Sequence, residues 1–81
     1  MDASTVKTLL ENHLPECEFN VQGEGNHYDI EAIGEVFDGL RPVQRQQLVY
    51  AALKDQIGEG SIHAVNIRTY TQAQWQAHAQ A

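Results

Sequence analysis

The sequence predicts an α+β domain with the order α-β-β-α-β-α, a three-stranded sheet covered by helices on one face. Three observations predict it. Apolar residues recur at helical spacing in some segments and at a period of two in others. Glycines and prolines fall where the period changes. With 81 residues, the chain has room for one domain, 1–81, and for a small core.

Val6, Leu9, Leu10 and Leu14 share one helical stripe over residues 4–14, with Lys7, Glu11 and Asn12 on other faces. Asp2 or Ser4 supplies a cap, and Pro15 ends the helix by disfavouring helical geometry at Leu14. Cys17, Phe19 and Val21 then alternate with Glu18, Asn20 and Gln22, the pattern of a half-buried strand. Gly23-Glu24-Gly25-Asn26 is turn chemistry. Alternation resumes with Tyr28, Ile30 and Ala32 opposite His27, Asp29 and Glu31, so the two runs form an antiparallel hairpin.

Residues 37–42 connect the hairpin to the longest predicted helix, which starts at Pro42 and runs to about Ile57. Val43, Leu48, Ala51, Ala52 and Leu53 are its candidate buried positions. Gly58-Glu59-Gly60 terminates it. Residues 62–69 form the third strand, with His63, Val65 and Ile67 on one face. Thr71 and Gln74 match a capping box that opens a short last helix. Trp75 lies on its inner side, and residues 76–81 are expected to fray.

Composition narrows the function. Eleven acidic residues against five basic ones give a net charge of −6, which repels phosphate and disfavours autonomous nucleic-acid binding. One cysteine, Cys17, forms no internal disulfide. The first residues lack the basic and apolar regions of a signal peptide, and no apolar run approaches the ~20 residues of a membrane span. Together these features point to a reducing cytosol.

His27 and His63 are the residues that can carry metal chemistry. They are 36 positions apart, and one cysteine does not complete a zinc quartet with them. By spacing alone, His63 reads as a partly buried histidine at a strand start and His27 as a solvated turn residue. His13 and His78 lie near helix ends and read as surface residues. Cys17 reads as a small apolar strand residue, since nothing adjacent in sequence lowers its pKa. Asp29, Glu31, Glu35 and Asp38 read as solvated carboxylates. Arg41 and Arg45, with Gln44, Gln46 and Gln47, form at most a weak nucleic-acid surface. No catalytic motif is present.

Four segments resemble the BolA family. Asn26-His27-Tyr28 is similar to its Ser/Thr-His-Phe pattern, and Val36-Phe37-Asp38-Gly39-Leu40 resembles its Phe-Asp-Gly connector. Residues 45–53, Arg-Gln-Gln-Leu-Val-Tyr-Ala-Ala-Leu, resemble its Arg-His-Arg-Leu-Val helix. Ile62-His63-Ala64, followed by Thr69-Tyr70-Thr71 and Trp75, resembles its Ile-His-Ala…Thr-x-Thr…Trp signature. The Gly-Glu-Gly hairpin and the Gln46-Gln47 pair look most like the bacterial IbaG branch.

The resemblance implies a class II KH-like fold and a non-enzymatic, cytoplasmic adaptor that pairs with a monothiol glutaredoxin. In such pairs a [2Fe–2S] cluster is held by the glutaredoxin cysteine, glutathione and the BolA histidine of Ile-His-Ala, here His63. A second BolA ligand, Cys or His, comes from the first strand loop. Residues 23–26 contain neither, which leaves His27 at the loop's end as the nearby donor; other branches carry a histidine there besides a loop ligand, so a structural role for His27 stays open. A homodimer of the cluster-free form is a further expectation. The family's alternative role is transcriptional regulation through a KH-like surface, for which Arg41, Arg45 and Arg68 are the available cations. The chain lacks the Gly-x-x-Gly loop of nucleic-acid-binding KH domains.

Overall fold

The computed structural model describes residues 1–80. Helix α1 (Ala3–His13) is followed by strands β1 (Glu18–Glu24) and β2 (His27–Ile33) and a 3-10 turn (Glu35–Phe37). Helix α2 (Pro42–Tyr50), a second 3-10 turn (Ala51–Leu53), the short α3 (Lys54–Gly58), β3 (Ala64–Tyr70) and α4 (Gln72–Gln80) complete the chain. The order is the expected α-β-β-α-β-α, with the second helix broken in two.

Each end of α1 has a local cause. The Asp2 carboxylate accepts from the Thr5 amide at 2.8 Å, satisfying one of the free donors of the first turn. At the other end the Leu14 amide closes on the Leu10 carbonyl at 2.9 Å, just before Pro15. Val6 and Leu10 are fully buried and Leu14 nearly so. Leu9 packs against their cluster from the side.

The sheet has the order β1-β2-β3. β1 and β2 pair antiparallel, from Glu18 opposite Ile33 to Glu24 opposite His27. β2 and β3 pair parallel, from His27 opposite Ala64 to Ile33 opposite Tyr70. Alternation then assigns the faces. Phe19, Tyr28, Ile30 and Ala32 are buried on the helix-covered face, with Val21, Val65 and Ile67 packed beside them. Asn20, Gln22, Asp29, Glu31, Asn66 and Arg68 line a shallow polar hollow on the open face.

Three expectations are corrected. The single long helix is interrupted by the 3-10 turn at Ala51–Leu53, which re-aims the chain so that Leu53 is buried. Val43 and Ala51 lie outside, and Val49 is the buried residue of α2 instead. The third strand begins at Ala64, because Ser61 and Ile62 still close the preceding turn on the Gln56 carbonyl. Finally, α4 runs to Gln80 rather than fraying from residue 76; position 81 lies outside the described residues.

The Thr71 capping box forms as predicted. Thr71 Oγ1 accepts from the Gln74 amide at 3.2 Å, and Gln74 Oε1 accepts from the Thr71 amide at 2.9 Å. The Glu35 carboxylate accepts from the Gln72 amide at 2.8 Å, placing a negative charge at the positive end of α4. The helix carries Trp75 onto Tyr70, ring centroids 5.2 Å apart in an edge-to-face pair.

Candidate functional site

His27 and His63 come together at one end of the sheet. His27 opens β2 and pairs in register with Ala64, the residue after His63. The amides of His63 and Ala64 both donate to the Asn26 carbonyl, at 2.8 and 3.0 Å. Residues 36 positions apart in the chain therefore leave the backbone at neighbouring points.

Both side chains are exposed. His63 is bracketed by Ile62, which is 1% exposed, and by the first ladder bond of β3. Its backbone is held on both sides while its ring faces solvent. The partly buried histidine that spacing alone suggested is absent; what is bonded is the main chain, not the imidazole. His27 borders a hollow lined by Gly23, Glu24, Tyr28, Asp29, Ala64 and Asn66. Ala64 faces His27 across the ladder, and its small side chain leaves that hollow open.

The hairpin turn sets the position of His27. Glu24 pairs with His27, so the loop is the two residues Gly25-Asn26. Gly25 has φ +67, and among the described residues only glycines take positive φ, as at the first position of the turns that match strand twist in two-residue hairpins. At Gly23, with φ +131, a Cβ would collide with the His27 carbonyl oxygen and lie 2.9 Å from Tyr28 Cα. The Tyr28 hydroxyl lies 2.6 Å from the Met1 carbonyl oxygen and 2.7 Å from that of Gly25, sharing its proton between them. It thus ties the chain start and the turn to the second strand.

Sequence reading missed Asn26, Gly23 and Tyr28 as supports of this site. Gly23 was legible as a turn glycine. The Asn26 contribution is a backbone carbonyl, which no side-chain pattern reveals.

Cys17 is not a partner of these histidines. It precedes β1, against Gly34, at the opposite end of a seven-residue strand pairing, about 20 Å away at the usual rise per residue. It is buried, and burial, then the Glu16 charge, pushes its thiol pKa up, so it is a poor nucleophile. Among the described residues no group of three or more His, Cys, Asp or Glu is arranged to hold a metal ion. The structure thus brings the backbones of His27 and His63 together and leaves both rings exposed.

The three candidate nucleic-acid arginines are divided. Arg45 is committed internally: Nε donates to the Leu40 carbonyl at 3.1 Å and Nη1 to Gln74 Oε1 at 3.0 Å. Arg41 is exposed at the start of α2. Arg68 lies on the open sheet face, in register with Glu31. His13 and His78 are exposed, as expected, although the His78 ring lies 5.1 Å from that of Tyr70 and 5.5 Å from that of Trp75.

The comparison with known proteins agrees with this geometry. The profile of BolA-like proteins matches residues 3–74. The chain belongs to the BolA family. It is 41% identical over 75 residues to the acid stress protein IbaG of Escherichia coli K12, covering 93% of this chain and 89% of that one. A BolA homologue from Coxiella burnetii superposes with a TM-score of 0.82 at 27% identity, covering 94% of this chain and 97% of the other. Yeast Fra2 superposes with a TM-score of 0.75 at 25% identity, covering 93% and 84%. Ile62-His63-Ala64, which resembles the family's Ile-His-Ala pattern, stands at the entry to β3, and Asn26-His27-Tyr28 stands beside it.

Proposed function

We propose that this BolA protein is a non-catalytic adaptor that docks on a monothiol glutaredoxin and contributes His63 to a [2Fe–2S] cluster shared between the two chains and glutathione. The observation that carries the reading is the exposed His63 imidazole, fixed through its backbone to Asn26 beside His27.

The donor chemistry fits a shared cluster. Neutral imidazoles ligate iron, and the chain supplies two exposed ones on neighbouring stretches of backbone. His63 is the principal ligand and His27 the second, in place of a ligand from residues 23–26. When bound, the cluster supplies a redox and transfer centre, whose potential rises where imidazole replaces thiolate. The residues of this chain hold the backbone at both positions and leave the two rings exposed. Ile62 anchors the segment in the core, Asn26 fixes the entry to β3, and Ala64 keeps the space above His27 free. Because a protonated imidazole cannot ligate, the shared site loosens in acid and suits sensing or transfer better than storage.

Co-expression with a cytosolic monothiol glutaredoxin tests the reading. The purified pair should be coloured, with absorption and circular dichroism unlike those of the glutaredoxin alone. His63→Ala should abolish the difference while leaving the fold of the free chain intact. His27→Ala should weaken cluster retention by about 10- to 100-fold if the ring ligates or orients the site. Unchanged spectra in His63→Ala would refute the assignment.

A further inference from the structure

We infer that the outer edge of β3, with the adjoining flank of α2, is a second docking surface, and that it takes an extended, acidic segment of another protein as a fourth strand. This surface is separate from the histidine end of the sheet and does not depend on the cluster.

The backbone directions identify the edge. The Ala64 amide donates to Asn26, and the Tyr70 carbonyl accepts from Gly34 at 2.9 Å. In a parallel ladder this assigns the even residues of β3 to pairing with β2 and turns Val65, Ile67 and Thr69 outward. Among the described residues, one outward group has a partner. The Gln46 Nε2 amide donates to the Ile67 carbonyl at 2.6 Å, occupying the place a neighbouring strand's N–H would take. The remaining groups of Val65, Ile67 and Thr69 form an unpaired row, the template on which an extended segment adds.

The surroundings select the segment. Residues 1–40 carry nine of the eleven carboxylates and one lysine, a formal charge of −8. Residues 41–81 carry Arg41, Arg45, Lys54 and Arg68 against Asp55 and Glu59, a charge of +2. The N-cap Arg41, α2 and β3 carry Arg41, Arg45 and Arg68 without a carboxylate, and Lys54 opens the neutral α3, so a strongly acidic protein carries most of its positive charge on this flank. Beside the edge, α2 bears an open apolar hollow lined by Gln46, Gln47, Tyr50, Ala51 and Lys54, with Val43 and Tyr50 exposed at 59% and 42%. An arriving strand would alternate apolar residues toward this hollow with carboxylates toward the cations. A polynucleotide would satisfy the charges but could not complete the row of backbone groups.

Titration of the intact, nitrogen-15-labelled protein with an end-blocked eight-residue peptide of alternating Glu and Val tests the inference. Saturable binding is expected, with the largest shifts and new exchange protection at the amides of Val65, Ile67 and Thr69. Replacing alternate residues of the peptide by Pro, or its Glu by Lys, should weaken binding about tenfold or more. The double variant Lys54→Glu, Arg68→Glu should do the same, and Gln46→Ala should tighten binding about threefold by vacating the Ile67 carbonyl. His63→Ala should leave binding unchanged. Shifts centred on β1, equal binding of the Pro-containing peptide, no saturation at millimolar peptide, or tighter binding of single-stranded DNA at the same amides would overturn it.

Discussion

The two flanks of the sheet are built from similar elements and used differently. On one flank α1, 11 residues long, buries Val6 and Leu10 completely and Leu14 almost so. On the other α2, nine residues long, buries Val49 and leaves Val43 and Tyr50 in solvent. The strands repeat the contrast: β2 buries four of its seven residues, whereas Val65 and Ile67 of β3 are half-buried. The first flank is acidic and closed, the second cationic and open. The spare apolar and hydrogen-bonding capacity lies on the α2 side, which is the side inferred to take a partner.

The strongest way to break this contrast is to truncate matching positions. Leu10→Ala should cost about 2–5 kcal/mol, a large part of the ~5–15 kcal/mol that holds a domain together. Val43→Ala should stay within about 0.5 kcal/mol. Urea denaturation of both variants decides it, and equal losses would show that α2 is as structural as α1.

Gly23→Ala should follow, at about 2–3 kcal/mol, because it combines a positive φ with a collision against the His27 backbone. Its amide spectrum should show the disturbance centred on residues 24–28, with β3 affected through Asn26. If the disturbance stayed within β1, the coupling of the two histidine positions through the turn would be wrong.

On the open flank, Thr71→Ala should cost about 1 kcal/mol by removing the cap of α4. The Trp75 emission should shift as the helix detaches from Tyr70. An unchanged emission would mean that the Glu35 carboxylate alone holds the helix start.

The smallest effect concerns acid. The Thr5 amide and hydroxyl hold the Asp2 carboxyl below its usual value, so the folded state favours the ionised form. Its contribution is therefore present above the ordinary carboxylate value and disappears as pH falls through the lowered one. Thermal melts between neutral and strongly acid pH should show this loss. Asp2→Asn, which keeps a capping oxygen, should retain the helix start and lose that part of the pH dependence. A dependence identical to that of the parent would assign it to other carboxylates.

Much of the molecule was legible before its structure. Alternation at Cys17, Phe19 and Val21 and at Tyr28, Ile30 and Ala32 identified the hairpin and its inner face, because a period of two admits one buried side. The Thr71/Gln74 pair announced α4, since capping is a contact between residues three apart. The four ordered motifs pointed to the BolA family. Where local rules compete with packing, reading failed. Val43 and Ala51 were expected to be buried, yet Val49 took the interior beside the expected Leu53 once the 3-10 turn bent the helix.

The sequence by itself determined the order of the elements, a glycine turn within residues 23–26 (whose first two residues the structure places in β1), the cap of α4 and the identity of the two histidines, because each depends on residues within a few positions of one another. Tertiary structure decided that β3 runs parallel to β2, and with that single choice brought the His63 backbone beside that of His27, away from Cys17, and turned the backbone groups of Val65, Ile67 and Thr69 outward. Strand pairing joins residues tens of positions apart through backbone groups that all amino acids share, so no side-chain pattern records it.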